Sequence, residues 1–143
     1  MQKIVLIALM LISPLALSAE HKVKMLNQGE DGSMVFEPGY LQVQPGDTVT
    51  FVPVDPSHNT HSALSPDGGE SWKGSINEEV SVMLNTEGVY IYQCDPHVSL
   101  GMVGVIQVGE ATNMQKAKDK AASLQGGMAM NEDRLGQYLE QVQ

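Results

Sequence analysis

The chain has 143 residues, of which 42% are hydrophobic, and it carries a formal net charge of −9 at pH 7. A length of this order suits a single domain with its own core. The negative charge argues against nucleic acid and anionic membranes as partners, because both repel an acidic protein.

The N-terminus has the pattern of a secretory signal peptide. Lys3 precedes an apolar run at residues 4–12 that is too short to span a bilayer, and Pro14 ends that run. Ala19 is a small residue before the expected cleavage point. We therefore predict a signal peptide at 1–19 and export to an oxidising compartment, with no membrane attachment after cleavage. An uncleaved membrane anchor is the alternative.

The next part of the chain has the pattern of short strands separated by turns. Apolar and polar residues alternate, and pairs such as Pro38-Gly39 and Pro45-Gly46 mark the turns. The predicted strands fall near 23–25, 34–36, 40–43, 48–54, 80–84, 89–92 and 102–108. This pattern predicts an all-β sandwich or barrel at 20–109. The segment 55–77, rich in Gly and Pro, is predicted to be a packed functional loop without strands.

The periodicity becomes helical in the last part of the chain, 110–143. Thr112 begins a capping box, and apolar residues then recur on one helical face up to a Gly126-Gly127 stop. Asn131 is predicted to cap a second helix with its own apolar face. We expect two short helices packed on the β domain, with a frayed polar tail as the alternative.

Cys94 is the only cysteine of the chain, so it has no partner for an intrachain disulfide. An unpaired thiol in an exported protein is a hazard unless it has a use, and metal binding is the most economical one. His97 and Met102 follow it in the same predicted loop, and His58 lies upstream, where a strand is predicted to end. A thiolate, two imidazoles and a weak thioether form the ligand set of a blue-copper electron-transfer site.

Three neighbours of these residues are also of interest. His61 lies three residues after His58, but His58 directly follows the predicted strand end, so we expect His61 to be solvated. Asn59 is predicted to bridge the His58 and Cys94 loops, with an ordinary turn asparagine as the alternative. Pro96 has no N–H, so one potential donor to the sulfur is absent, and such donors tune the potential.

Two other uses of Cys94 are disfavoured. A thiol hydrolase would take its nucleophile and base from separate segments, whereas Cys94 and His97 are only three residues apart. A structural zinc site would not use methionine as its fourth ligand. We therefore expect a metalloprotein that is not an enzyme.

Several motifs of the chain resemble the pseudoazurins, a family of small cupredoxins. They are Met-Leu-Asn at 25–27, Asp-Gly-Ser-Met-Val-Phe-Glu-Pro at 31–38, Pro-Gly-Asp-Thr-Val-Thr-Phe at 45–51, His-Asn at 58–59, Pro-Asp-Gly at 66–68, Ile-Asn-Glu at 76–78, Gly-Val-Tyr at 88–90 and Met-Val-Gly-Val at 102–105. The resemblance covers nearly all of the exported chain. The two C-terminal helices favour pseudoazurin over plastocyanin, which has a similar spacing from cysteine to methionine.

The resemblance implies a Greek-key β-sandwich with two C-terminal helices and one type 1 copper ion. The metal ligands would be His58, Cys94, His97 and Met102, with Met34 close to them. It also implies a monomeric periplasmic carrier that shuttles single electrons to a respiratory or denitrification partner, such as a nitrite reductase, a cytochrome or another reductase. The electron would leave through the edge of the His97 ring, in an apolar patch with Pro96, Leu100 and Met102.

The chain departs from the family in the charge around that patch. Gln28, Asp55 and Gln93 stand where the family tends to be basic, and Lys73 alone is kept. Electrostatic complementarity guides partner choice, so a partner with an acidic docking face is not expected.

The alternative function is a periplasmic copper buffer or delivery protein. Delivery sites are exposed and rich in Met or His, whereas the nine methionines of this chain are scattered. An enclosed site that holds its copper favours the electron carrier.

Overall fold

The computed structural model describes residues 17–143, so most of the predicted signal peptide at 1–19 lies outside the described residues. Within this range the chain forms eight strands, a short 3₁₀ helix and two α-helices. In chain order they are β1 (Glu20–Gly29), β2 (Gly32–Glu37), β3 (Tyr40–Val43), β4 (Asp47–Pro53), β5 (His61–Leu64), β6 (Val80–Leu84), β7 (Gly88–Gln93), the 3₁₀ helix (Asp95–Leu100), β8 (Val103–Val108), α1 (Met114–Gln125) and α2 (Arg134–Leu139).

The strands form two four-stranded sheets, in the orders β2-β1-β4-β6 and β3-β8-β7-β5. β1 pairs with β4 and β3 pairs with β8 in parallel, while the other neighbours are antiparallel. These parallel partners are distant in sequence, which gives the crossed connections expected of a Greek key. The prediction of an all-β sandwich with two short C-terminal helices is confirmed.

The segment 55–77 differs from the prediction because it contains a strand. β5 pairs with β7 and so completes one edge of the second sheet. All four residues of β5 are half-buried, so the segment lacks the alternation that reveals a strand in a sequence. Trp72 of the same segment is buried and stacks on Phe51, with ring centroids 5.5 Å apart. The segment is packed, as predicted, but it is not free of strands.

The core between the sheets is aromatic and extends to the end of β7. Phe36 and Phe51 meet the ring of Tyr92 edge-to-face, with ring centroids 4.7 and 4.9 Å away. Cys94 and Met102 belong to the same buried cluster as these rings. Two of the candidate metal ligands are therefore anchored in the buried core of the sandwich, where displacing a side chain is costly.

The two helices cover the outer face of the second sheet. β8 is buried along its whole length because the aromatic core packs on one face and the helices on the other. Ala117 and Ala121 face the sheet, as the helical periodicity predicted. The predicted packing is thus confirmed, and the frayed tail is excluded.

Both predicted helix caps were wrong. The residue that precedes α1 is Asn113, and its side chain bonds the backbone of Val89 instead of capping the helix. Asp133, two residues after Asn131, precedes α2. Asn131 lies outside the helix and donates to the carbonyl of Leu100. In each case an asparagine side chain at or next to the predicted cap forms a hydrogen bond with the backbone of a neighbouring element instead of capping the helix.

Among residues 17–143, no helix is both long enough and apolar enough to cross a membrane.

Candidate metal centre

Two loops at one end of the sandwich bring the candidate ligands together. His58 comes from the loop between β4 and β5, and Cys94, His97 and Met102 come from the loop between β7 and β8. His58, Cys94 and Met102 are fully buried, whereas His97 is partly exposed. Single donor atoms of His58, Cys94 and His97 all lie within 4.8 Å of one another.

The distances between these donors fit a single ion. The Nδ1 atoms of His58 and His97 are 3.2 Å apart, and the Sγ atom of Cys94 lies 3.8 Å from the first and 3.4 Å from the second. Two nitrogens that are each about 2.1 Å from one metal and about 100–120° apart are separated by roughly 3.2–3.6 Å, and a nitrogen and a sulfur at about 2.1 and 2.3 Å by roughly 3.4–3.8 Å. One thiolate and two imidazoles in this arrangement are the donors that copper prefers.

The ring of His58 is oriented by a residue on another strand. Its Nε2 atom lies 2.9 Å from Oδ1 of Asn27 on β1. Because that oxygen only accepts, Nε2 carries the proton and Nδ1 keeps a free lone pair for a metal. Burial and the nearby His97 lower the pKa of His58, while Asp55 acts in the opposite direction. The imidazole is thereby kept in the neutral form that binds metals.

Asn27 is a functional residue that the sequence analysis missed. Asn27 stands within the family motif at 25–27, but the sequence indicates no role for it. No spacing relates the residue to His58, which is 31 positions away. The parallel pairing of β1 with β4 brings the two together, so only knowledge of the sheet order could have identified it.

The Cys94 loop is closed by backbone hydrogen bonds between its two ends. The N–H of Cys94 donates to the carbonyl of Met102 at 3.0 Å, and that of Met102 donates to His97 at 3.2 Å. Burial raises the pKa of the Cys94 thiol, whereas the N–H groups of Asn59 and His97 lower it. The absence of a donor at Pro96 is therefore partly offset by the N–H of the next residue.

Asn59 joins the two ligand-bearing loops, as predicted. Its Nδ2 atom donates to Oδ2 of Asp95 at 3.0 Å, and its Oδ1 atom accepts from the N–H of the same residue at 2.8 Å. Nδ2 also donates to the carbonyl of Gly74. Asn59 is buried, so these bonds form in a low dielectric and hold the two loops at a fixed separation.

His61 is half-buried and does not approach the metal donors, so the solvated side chain that was expected is solvated only in part. Its Nδ1 atom lies 3.0 Å from Oδ1 of Asp95. Burial would raise the pKa of Asp95, but hydrogen bonds from Gln93, Asn59 and His61 lower it to about 2. A carboxylate therefore sits beside Cys94, held by side chains of which none is permanently charged.

The remaining predicted neighbour, Met34, is half-buried and packs against the cluster that contains Cys94 and Met102. Its backbone has a left-handed φ of 51°. The exposed Pro96 and the half-buried Leu100 flank His97 in the 3₁₀ helix. Met102, which was expected in the same surface patch, is fully buried and contributes nothing to that surface.

Comparisons with known proteins agree with this geometry. Residues 23–109 match the model of the copper-binding proteins of the plastocyanin/azurin family. The chain is 44% identical over 114 residues to pseudoazurin of Paracoccus pantotrophus, covering 78% of this chain and 79% of the relative. It is 52% identical over 96 residues to a pseudoazurin homologue of Rhizobium leguminosarum bv. viciae. That match covers 66% of this chain and 63% of the relative, so the chain spans just under two thirds of the relative's length.

Solved structures give the same result. The crystal structure of pseudoazurin from Hyphomicrobium denitrificans, 36% identical, superposes with a TM-score of 0.76 over 87% of this chain and 98% of the other. The pseudoazurin of Methylobacterium extorquens AM1, 33% identical, gives a TM-score of 0.71 over 87% and 99%. The chain therefore belongs to the pseudoazurins, the electron-transfer cupredoxins of the plastocyanin/azurin family, and its cofactor is a type 1 copper ion.

Proposed function

We propose that this chain is a periplasmic carrier of single electrons in which Nδ1 of His58, Sγ of Cys94 and Nδ1 of His97 bind the copper. The thioether of Met102 is the weak axial ligand. The observation that carries this proposal is the buried convergence of the three strong donors within 4.8 Å. When bound, the copper supplies a Cu(II)/Cu(I) couple, and a soft thiolate with two imidazoles suits both oxidation states.

The role of the protein is to keep the ligands in one place while the charge of the metal changes. Asn27 orients His58, and Asn59 ties the His58 loop to the Cys94 loop. The buried cluster around Cys94 and Met102 resists displacement of either sulfur. Ligands that do not move between the two states make electron transfer fast, and no bond to a substrate is formed or broken. We therefore expect no catalytic activity.

The proposed exit route is His97, the one candidate ligand that reaches the surface. Its ring is partly exposed and is flanked by Pro96 and Leu100. A partner that packs against this small apolar surface brings its own redox centre close to the ring edge. We propose redox proteins as partners, such as a nitrite reductase, a cytochrome or another periplasmic reductase, and we expect the carrier itself to be monomeric.

The charges near the exit route restrict the docking face of that partner. Asp55 carries a negative charge near His58, whose pKa it acts to raise, and Asp95 is ionised beside Cys94. Gln28 and Gln93 add no positive charge. Lys73, which is exposed, is the one basic residue expected there. We expect electron-transfer rates that stay flat or rise with ionic strength when the partner is acidic. Rates that fall steeply with salt would contradict this part of the proposal.

Periplasmic location rests on the sequence of the first residues, where a short apolar run follows Lys3. We propose that this N-terminal leader directs export and that the β domain at 20–109 and the helices at 110–143 form one folded unit. Fractionation of cells that produce the full chain should place the blue protein in the periplasmic extract. Recovery with the membranes would favour the uncleaved anchor.

An absorption spectrum with added Cu(II) tests the copper site directly. We expect an intense visible thiolate-to-copper band at one equivalent of copper and its loss in the Cys94→Ser variant. Cys94 is the only thiol of the chain, so no other residue could give this band. His61→Ala is the matched control, since His61 contacts Asp95 but none of the proposed ligands, and it should remain blue. Copper binding without the band would overturn the assignment.

A further inference from the structure

The backbone just before Met102 is held by the C-terminal part of the chain. The N–H of Ala129 donates to the carbonyl of Ser99 at 2.7 Å. The side chain of Asn131 donates to the next carbonyl, that of Leu100, at 2.9 Å. These donors lie in the connection between α1 and α2, far from the metal loop in sequence.

Arg134 continues this series onto the third consecutive carbonyl. Its Nη1 atom donates to the carbonyl of Gly101 and to that of Met34, each at 2.8 Å. Its Nη2 atom donates to the carbonyls of Asp31 and Ser33, each at 3.0 Å. Arg134 is only 5% exposed, and all four of its terminal N–H groups donate hydrogen bonds, away from solvent. Such a planar fork has no equivalent in lysine.

The two segments also touch through their backbones at Gly101. This residue has a left-handed φ of 79°, and a Cβ atom placed on it would lie 2.8 Å from Cβ of Asn131 and 2.9 Å from the carbonyl oxygen of Met130. Glycine is required at this position both by the conformation and by the close approach. The close approach of Gly101 to Met130 and Asn131 therefore requires the observed backbone conformation of both the metal loop and the connection between α1 and α2.

We propose that residues 129–134, here called the C-terminal brace, position Met102 relative to the other copper ligands. The inference rests on the proposed ligand set. An axial thioether bonds copper weakly, so the metal itself cannot fix the sulfur, and the protein has to do so. The brace fixes three carbonyls in the residues that immediately precede Met102. Arg134 additionally links this point to Met34, which packs against the same cluster.

The brace is distinct from the packing of the helices on the sheet. α2 is attached to the domain through buried Leu135, Tyr138 and Leu139, and the hydroxyl of Tyr138 donates to Oδ2 of Asp31 at 2.8 Å. The hydrogen bond of Tyr138 is not to the metal loop, whereas the apolar cluster that holds Leu135 and Leu139 also includes Val98 of that loop. A variant at Tyr138 can therefore weaken the attachment of α2 without altering the donors to residues 99–101.

Arg134→Lys and Asn131→Gly test the proposal in the full exported protein, with Tyr138→Phe as the matched control. Glycine is compatible with the left-handed φ of 52° at Asn131, so this exposed position tolerates the change even if the Arg134 variant does not fold. We expect both brace variants to change the relative intensities of the two thiolate-to-copper bands and to bind copper about 10-fold more weakly. A tenfold change in the ratio of Cu(II) to Cu(I) affinity would shift the potential by about 59 mV.

A second readout needs no copper. In the metal-free protein, the amides of Gly101 and Met102 donate to Val98 and His97, and we expect both amides to exchange faster with solvent in the brace variants. If the wild-type protein never turns blue but both amides still exchange faster in the brace variants than in the wild type, the copper site is contradicted and the brace is supported. Wild-type spectra and wild-type exchange in both brace variants would overturn the inference, as would equal changes in Tyr138→Phe.

A separate observation concerns the N-terminus of the exported chain. The N–H of Ala19 donates to Oδ1 of Asp47 at 2.8 Å, and the carbonyl of Ala19 accepts from the N–H of Thr48 at 2.9 Å. Asp47 is only 5% exposed. Cleavage after Ala19, expected from the sequence, would remove both bonds from a buried carboxylate and a strand edge, which is costly.

We propose that the leader is removed one residue earlier, after Ser18, so that the α-ammonium group of Ala19 pairs with Asp47. Ser18 and Ala16 then supply the small residues that precede the cut. The cleaved bond is the peptide bond between Ser18 and Ala19; water adds its hydroxyl group to the carbonyl carbon of Ser18 and a proton to the nitrogen of Ala19. Cleavage places the new α-ammonium charge of Ala19 beside the buried carboxylate of Asp47, which already accepts a hydrogen bond from this nitrogen.

The intact mass of the exported protein tests this proposal, since a chain that begins at Ala19 is heavier by one alanine residue than one that begins at Glu20. Two recombinant forms with these starts complete the experiment. We expect the form without Ala19 to unfold at a temperature lower by roughly 2–8 °C. Recovery of the chain that begins at Glu20, or identical unfolding temperatures, would overturn the assignment.

Discussion

His58 and Asn27 form a hydrogen bond of 2.9 Å between Nε2 and Oδ1, and they lie on different parts of the sandwich. The backbone of Asn27 is held in turn, because its N–H donates to Oδ2 of Asp55 at 2.7 Å. The orientation of a buried imidazole is therefore fixed from β1, a strand that supplies none of the proposed ligands. A metal-bound histidine is commonly held in this way through its second nitrogen.

Replacing Asn27 with leucine should weaken copper binding by about 10–100-fold, because the new side chain has a similar size but no acceptor for Nε2. The imidazole would lose both its preferred tautomer and its orientation. Competition with a copper chelator, followed by the visible band, measures the change. Gln28→Ala on the same strand is the control, since Gln28 is exposed and should leave the affinity unchanged. An unaltered affinity in Asn27→Leu would contradict the role of this residue.

Asn59→Ala should lower the free energy of unfolding of the metal-free protein by about 2–4 kcal/mol. The substitution removes three hydrogen bonds from a buried position, two to Asp95, one of them to its charged carboxylate, and one to the carbonyl of Gly74. Urea unfolding measures the effect. The control is Gln93→Ala, which removes one partly exposed bond to the same carboxylate and should cost only about 1 kcal/mol. Equal losses in the two variants would mean that Asn59 does not tie the loops together.

The sequence correctly predicted those features of the fold and of the site that depend on residues close together in the chain. Cys94, His97 and Met102 lie in one loop, so their shared site followed from their spacing and chemistry. The alternation around Val49 and Phe51 predicted β4 correctly because one face of that strand is buried and the other is not. Local patterns of this kind need no knowledge of the sheet order.

What the sequence did not predict depends on contacts between distant elements. β5 is half-buried throughout and carries no periodic signal. Asn113 and Asn131 look like helix caps, but their side chains bond Val89 and Leu100 instead. The bond between Asn27 and His58 likewise arises only from the pairing of β1 with β4. Tertiary contacts overrode local preference at each of these positions.

Tyr92→Phe should stabilise the protein by about 1 kcal/mol. The hydroxyl of Tyr92 is buried and has no hydrogen-bond partner among residues 17–143, so its desolvation is not compensated. Tyr90→Phe is the matched control on the same strand, because the hydroxyl of Tyr90 donates to Glu70 at 2.7 Å. That variant should be less stable than the wild type. Thermal unfolding of both variants checks the pair, and a destabilised Tyr92→Phe would show that the hydroxyl does contribute to the fold.

The stability of the protein should fall in acid partly because of Asp47. Hydrogen bonds from the N–H groups of Ala19 and Gln44, and from the His21 side chain, outweigh burial and hold the pKa of Asp47 below its usual value. The unfolded-state pKa of an aspartate is about 3.9. Because the folded-state pKa is lower, the carboxylate contributes its full stabilisation above that value. This contribution is lost as the pH falls through the folded-state pKa.

Asp47→Asn isolates this contribution, since the amide cannot ionise and cannot accept all the same bonds. We expect the wild type to be more stable than the variant at pH 5 and the difference to shrink steadily as the pH falls below about 4. Urea unfolding at a series of pH values measures it. Asp67→Asn is the control, because Asp67 is 90% exposed and its ion pair with Lys116 lies on the surface, where such pairs contribute little. A difference that stays constant down to low pH would show that Asp47 stabilises the fold through packing and not through its charge.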